Sequence, residues 1–432
     1  MRQDILPVSS NQDAAGRLVI AGCDLHNLVQ RFGTPLYLYD GHTLMHQVDS
    51  LKMLMQKHYS AEFDITYAAK AYFSYPMARK LAALNLGVDV VSLGELLVAH
   101  KAGFAPQRIH LHGNNKSAEE LKAALELEIQ AIVVDSLEEL EFLESLAAAA
   151  GKRPRIWLRI TPGVAVDTHR YVQTAHHASK FGFAVANGQA QAAIRKALRS
   201  RHLRLVGLHT HLGSQFFQAE HYRQAIKVML NLAEQEGFIP EEFSPGGGWG
   251  VPYIDAQPQN DPRLWIETVC QSVVEEYTCR GWALPKLLVE PGRWLMARAG
   301  VAIYTIGTTK IAGDGTFFAA VDGGLADNPR PALYQAQYSA CLVDEPDAAG
   351  TVKTTIAGKF CESGDLLIEG VMLPEVKRGD LLAIPASGAY QLSMSSNYNL
   401  ATRPAALWLE NGQADVLQKR EVPHMGGWWM GE

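Results

Sequence analysis

Between residues 36 and 290 the chain alternates short apolar or β-branched runs with helix-like stretches, and this alternation limits the fold more than any other feature. The runs are FDITYA (63–68), VDVVS (88–92), RIHLHG (108–113), AIVVDS (131–136), RIWLRI (155–160), LVGLHTH (205–211), EFSPGGG (242–248) and KLLVE (286–290). Strands separated by helices are expected to run parallel, because a return in the same direction needs a long crossover. One crossover, SAEELKAALELE, opens with Ser117 three residues before Glu120, the spacing of a reciprocal N-terminal cap. Eight such units over 255 residues match the roughly 250 residues of a (βα)8 TIM barrel. An open, doubly wound sheet is the alternative. The count of eight, and the reactive residues at the ends of the runs, favour the barrel.

After residue 290 the texture changes to short strand-like runs (VAIYTIG, TFFAAV, TVKTTIAG, DLLIEGV, DLLAIP) with few helical stretches between them. PAALWLE and QADVLQ flank Asn411-Gly412, a strong hairpin signal. Residues 291–432 therefore read as a separate β domain, a sandwich or barrel, to which residues 1–35 could add a strand through GRLVIAG. With 39 Lys+Arg against 45 Asp+Glu the net charge is −6, so nothing in the composition favours nucleic acid or an anionic membrane. An apolar content of 47% is enough for a packed core and argues against disorder. No run reaches the length of a membrane span and the first residues lack the apolar core of a leader, so a cytoplasmic location is expected. The five cysteines show no CxxC spacing and suggest neither a disulfide framework nor a zinc ribbon.

Active sites of (βα)8 barrels gather at the C-terminal ends of the strands. The first run ends in YAAK, placing Lys70 there. A lysine desolvated at that position can attack a carbonyl and form a Schiff base; the plain alternative is a rim lysine in an ion pair. The sixth run ends in His209-Thr-His211, which project to one face of a strand. Such a pair can bind metal, but few further ligands follow at later strand ends, so no metal is expected. One imidazole could instead stack on an aromatic cofactor, with His211 the better fit to a hydrogen-bonded structural role. The seventh run enters Gly246-Gly247-Gly248, whose backbone N–H groups could converge on a phosphate or simply make a tight turn. The eighth ends in Glu290-Pro291-Gly292-Arg293. The glutamate could face a protonated ring nitrogen and the arginine a carboxylate, or the two could pair with each other. A carbonyl-reactive lysine, a stacking histidine, a phosphate cradle and a glutamate for a pyridinium are together what pyridoxal 5′-phosphate requires.

In YAAKA, GVDVVSLGEL, HGNNKS, LRITPGV, SKFGF, GLHTHLGSQ, GGGWGVPY and EPGR, and then DGGLADNPRPALY, CESGD and GAYQLSMSSNYN, the chain resembles the pyridoxal-phosphate-dependent decarboxylases of the alanine-racemase-like fold (fold type III). The resemblance runs over nearly the whole chain. It implies that Lys70 attaches the cofactor, His209 stacks on its ring and Glu290 keeps the ring nitrogen protonated. Ser214, Gly246, Gly247, Gly248 and the Gly292-Arg293 backbone would hold the phosphate, with Tyr390 close by. Arg293, Arg330, Tyr334 and Tyr390 would bind the substrate, with the arginines on its carboxylate and Glu362 on its distal amino group. Cys361 would donate a proton, although an inert cysteine is the plain reading. The implied reaction is decarboxylation of meso-2,6-diaminopimelate to L-lysine by a homodimer whose β domains complete the partner's site. A relative acting on an ornithine-, arginine- or lysine-like amino acid is the alternative. Tyr72, Leu93, Gln335 and the tail with Trp428 and Trp429 depart from the family pattern.

Overall fold

A computed structural model describes residues 4–164, 179–259 and 261–423, so the Trp-rich tail lies outside the described residues. By its internal contacts the chain forms two units, one of residues 48–250 with 260–292, the other of residues 1–47, 251–259 and 293–432.

The first unit is a closed barrel. Its strands are Phe63–Ala68, Gly87–Val90, Ile109–Leu111, Ala131–Val134, Arg155–Thr161, Arg204–His209, Glu242–Ser244 and Lys286–Val289. Each pairs in parallel with the next. The last returns to the first through Leu287–Phe63, Leu288–Asp64 and Val289–Ile65, a closure that an open sheet lacks. A two-residue strand, Phe183–Ala184, extends the fifth. Inside, Ala131, Val133, Trp157, Val206 and Leu288 form an apolar cluster. At the N-terminal end Glu242 accepts hydrogen bonds from Trp157 Nε1 at 2.7 Å and from Arg155 Nη2 at 2.6 Å. Several helices open on a capping serine (Ser74, Ser92, Ser117 and Ser136): Ser117 accepts from the Glu120 N–H while the Glu120 carboxylate accepts from the Ser117 N–H, the expected reciprocal cap.

The second unit is a sheet in the order Leu366–Leu373, Val352–Ala357, Phe317–Val321, Gly300–Ile311, Leu36–Asp40, Ala405–Glu410 and Gln413–Gln418. Leu381–Pro385 pairs with both Gly300–Ile311 and Cys341–Leu342. Alternate residues Leu36 and Leu38, Val301 and Ile303, Leu407 and Leu409 join Leu25 and Leu28 in one buried core. Each such leucine contributes about 1.5–3 kcal/mol through burial. Two expectations shift here. Leu36–Asp40, which our barrel range of 36–290 included, pairs with Gly300–Ile311 and Ala405–Glu410. Its all-buried pattern suits the interior of either unit, so sequence could not choose. GRLVIAG does make a strand, Leu18–Ile20, but in a small sheet with Asn11–Gln12 and Cys23–Asp24. The hairpin forms as expected, with Asn411 and Gly412 both at positive φ (50° and 75°), the requirement of a two-residue primed turn.

Candidate active site

The first barrel strand stops at Ala68, and a single 3-10 turn, Ala69–Ala71, carries Lys70 at its centre. Lys70 is exposed, not desolvated as the lysine reading supposed. Burial pushes the Asp89 and Glu95 carboxyls up, and the Lys70 charge works against that rise at both. Tyr72, two residues on, is buried, with its hydroxyl pushed up to about 12 by burial; its backbone N–H and C=O both bond the Tyr67 hydroxyl.

Glu290, directly after the last strand, is buried at the C-terminal end of the barrel. Its Oε2 lies 2.9 Å from His209 Nε2, and its Oε1 accepts from Ser244 Oγ at 2.5 Å. The His112 ring meets His209 edge-on at 4.8 Å between centroids. Burial pushes the Glu290 carboxyl up, but His209, His112 and the Ser244 hydroxyl outweigh it and hold the group well below the usual carboxylate range. Asp89 shows the opposite outcome: burial, then the neighbouring Glu290 charge, push its carboxyl well up. Of two facing carboxyls, Glu290 keeps the charge and Asp89 the proton. Burial holds the His112 imidazole neutral. His209 Nδ1 is buried without a hydrogen-bond partner among the described residues.

The HxH histidines part company. His209 bonds Glu290, whereas His211 Nδ1 accepts from the Gly247 N–H at 3.4 Å, the structural role expected of it. The donor atoms that do converge, within 4.8 Å, belong to His112, His209 and Glu290, so the HxH spacing was not the signal for them. The three glycines have reasons of their own. Gly246 and Gly248 sit at φ 79° and 104°, and a Cβ on Gly247 would come 2.0 Å from the Glu290 carbonyl oxygen. Tyr222 donates to the Gly247 carbonyl, so this backbone is pinned from both sides. Ser214 is half-buried in the loop after the sixth strand, and Gly292 is buried in the bend after the eighth.

In the second unit Arg293 and Arg330 are both buried, at 7% and 5% exposure. Arg293 Nη1 donates to the Tyr253 hydroxyl at 2.7 Å and its guanidinium lies 4.7 Å over the Tyr390 ring. The Glu290–Arg293 pair considered from sequence is therefore replaced by separate partners for each. Arg330 opens the short helix Arg330–Tyr334, donates to the Tyr338 hydroxyl and lies 4.8 Å over the Tyr253 ring. Gln335 ends that helix in the left-handed conformation (φ 52°) that glycine favours. Tyr334 is half-buried beside it. Cys361 and Glu362 are exposed on the loop 358–365. Asp365 ties that loop to the arginine's own, accepting from the N–H groups of Leu325 at 2.6 Å and Phe360 at 2.9 Å. Sequence reasoning missed Asp89, His112 and Ser244, which the strand-end rule covers, and Tyr253 and Tyr338, for which no local signal exists.

A family profile described as "Pyridoxal-dependent decarboxylase, pyridoxal binding domain" matches residues 45–297. The chain belongs to the pyridoxal-dependent decarboxylases. Among relatives of this decarboxylase family, the diaminopimelate decarboxylase of Bacillus subtilis is 42% identical over 420 residues, covering 96% of this chain and 95% of its own length. Two solved structures agree. Diaminopimelate decarboxylase from M. jannaschii in complex with L-lysine has a TM-score of 0.89 at 30% identity, covering 96% of each chain. The Helicobacter pylori enzyme complexed with L-lysine has a TM-score of 0.82 at 31% identity, covering 93% of this chain and 97% of that one. The barrel therefore carries the fold of pyridoxal-phosphate-dependent decarboxylases, and its residues fit the cofactor. A buried glutamate held ionised suits a protonated ring nitrogen, and among the described residues the His209 ring is fixed through Nε2, with Nδ1 left without a hydrogen-bond partner. Among the described residues no helix is long and apolar enough to cross a membrane.

Proposed function

We propose that this chain removes CO2 from meso-2,6-diaminopimelate to give L-lysine, as a cytoplasmic homodimer with sites shared between subunits. The observation that carries the chemistry is Glu290, buried yet held as an anion by His209 and Ser244. When bound, pyridoxal phosphate supplies an electron sink for the pair left as the Cα–carboxylate bond breaks. Glu290 retains the proton on the ring nitrogen on which that sink depends. Lys70 would supply the amine that attaches the cofactor, His209 would stack on its ring, and Ser214, Gly246, Gly247, Gly248 and Gly292 would hold its phosphate. Arg293, Arg330, Tyr334 and Tyr390 receive substrate, the two arginines taking a carboxylate and Glu362 the distal ammonium. Cys361 Sγ delivers a proton to the carbon that has lost CO2.

The substrate assignment is supported by the diaminopimelate decarboxylases at 42% and 38% identity over nearly the full length. The test is CO2 release from meso-diaminopimelate, lysine, ornithine and arginine by the pyridoxal-phosphate-loaded enzyme. Preference for the first is expected; preference for any of the others overturns the substrate and leaves the chemistry standing. Lys70→Ala should lose the visible cofactor band on dialysis, and a retained band would remove Lys70 from its role. Cys361→Ala should keep the band and lose most turnover; full turnover would remove Cys361 as proton donor.

A further inference from the structure

Tyr253 lies among charges that no local pattern announces. It belongs to the stretch 251–259, yet its hydroxyl accepts from Arg293 at 2.7 Å and its ring lies 4.8 Å beneath the Arg330 guanidinium. The Tyr338 ring meets it edge-on at 5.3 Å, and Tyr338 in turn accepts from Arg330. All four side chains are buried to below a tenth of their exposed area. Two guanidiniums held this close repel, and burial strengthens the repulsion because little water screens it. A hydroxyl that accepts from one and a ring face that attracts the other reduce that repulsion and set the spacing of both. Arg330's partners among the described residues are Tyr253 and Tyr338, phenols that carry no full charge at neutral pH. A guanidinium partnered by phenols retains its need for a carboxylate.

We propose that Tyr253 is the positioning residue of the arginine pair, its hydroxyl fixing Arg293 and its ring face Arg330 to receive one substrate carboxylate. The inference rests on the reading above that these arginines bind the substrate. It also has a consequence for pH. Burial pushes the Tyr253 hydroxyl up, but Arg293 and Arg330 outweigh burial and bring it below its ordinary value. The groups that face it are these two arginines and Tyr338, whose own hydroxyl burial pushes up. As pH rises, Tyr253 is the first of the two phenols to ionise. The phenolate then competes with the substrate's carboxylate for the same two guanidiniums, so KM rises on the alkaline side.

The test compares the pyridoxal-phosphate-loaded wild type with Tyr253→Phe and Tyr338→Phe, reading KM and kcat for diaminopimelate from pH 7 to 10. The visible cofactor band confirms that each variant is folded and loaded. Tyr253→Phe should raise KM at pH 7 about tenfold, the loss of one hydrogen bond to a charged group, with a much smaller change in kcat. Its KM should lack the part of the alkaline rise that the wild type shows, because substrate ionisation is common to both. Tyr338→Phe should raise KM yet keep the alkaline rise, which separates loosened packing from phenol ionisation. Arg330→Gln tests the parent reading: if it leaves KM unchanged, these arginines are not the carboxylate site. If Arg330→Gln raises KM while Tyr253→Phe changes neither KM nor its pH profile, the role of Tyr253 alone is overturned.

Discussion

Of the buried glutamates in the barrel unit, Glu242 and Glu290 lie at opposite ends of the strands, and their surroundings differ in kind. Glu242, at the N-terminal end, has its oxygens taken up by the Arg155 guanidinium and the Trp157 indole, donors that stay put. Glu290, at the C-terminal end, faces two histidines, a serine and a second carboxyl, all groups able to exchange protons. Burying a carboxylate costs several kcal/mol unless it is paired, so both sites need partners. At Glu242 the partners tie the strand Glu242–Ser244 to the strand Arg155–Thr161. At Glu290 they decide which of two carboxyls, Glu290 or Asp89, carries the charge. The difference matches the division of labour in (βα)8 barrels, stability at one face and chemistry at the other.

Exchanging the two glutamates for glutamine is the sharpest way to break this comparison. Glu290→Gln should lower kcat by about 10²–10⁴-fold, the range for a group acting on a proton in the transition state. Glu242→Gln should instead leave kcat per folded molecule near wild type and lower the unfolding free energy by about 2–3 kcal/mol. That is less than the loss of a fully buried pair, because Arg155 is 30% exposed. A Glu242→Gln enzyme that is stable but slow would dissolve the distinction between the two ends.

Asp327 extends the comparison to the β unit, where a buried carboxyl is bonded to the Tyr37 and Tyr304 hydroxyls. Burial pushes it up to about 6, against the hydrogen bonds from Tyr304, Gly324 and Tyr37. Its folded value is thus raised above the unfolded one, so the folded state holds the proton more tightly. The stability this contributes is fully present below about pH 4 and fades as pH rises through about 6, by up to roughly 3 kcal/mol. Asp327→Asn should remove that slope, so thermal or urea unfolding between pH 4 and 7 should show the variant gaining on the wild type. The smallest effect is expected at Ser117, which sits on the same side of the barrel as Glu290 but only caps a helix. Ser117→Ala should cost about 1 kcal/mol and leave turnover alone.

Much of this was legible in the chain. All eight barrel strands lie where the alternation put them, because the short apolar run that burial on both faces of a parallel strand produces, and the helical stretch that follows it, are both local patterns. Lys70, His209 and Glu290 were visible because a strand end is a position in sequence as well as in space. The strand Leu36–Asp40 was misplaced for the converse reason: five buried residues in a row state that a strand is interior, not to which sheet it belongs. Gln335 shows a further limit, since its left-handed backbone comes from the turn it closes and not from its residue type.

The alternation of elements, the residues at the strand ends and, through the motifs, the family are all written along the chain. How those residues pair is settled by folding. Glu290 and Arg293 are near neighbours in the chain, yet one is paired with His209 and the other with Tyr253, partners 81 and 40 residues away. Local pattern follows from backbone geometry, which repeats over a few residues. Charge and proton placement follow from burial and from which side chains are brought within hydrogen-bond reach, and those are known only when the strands have closed.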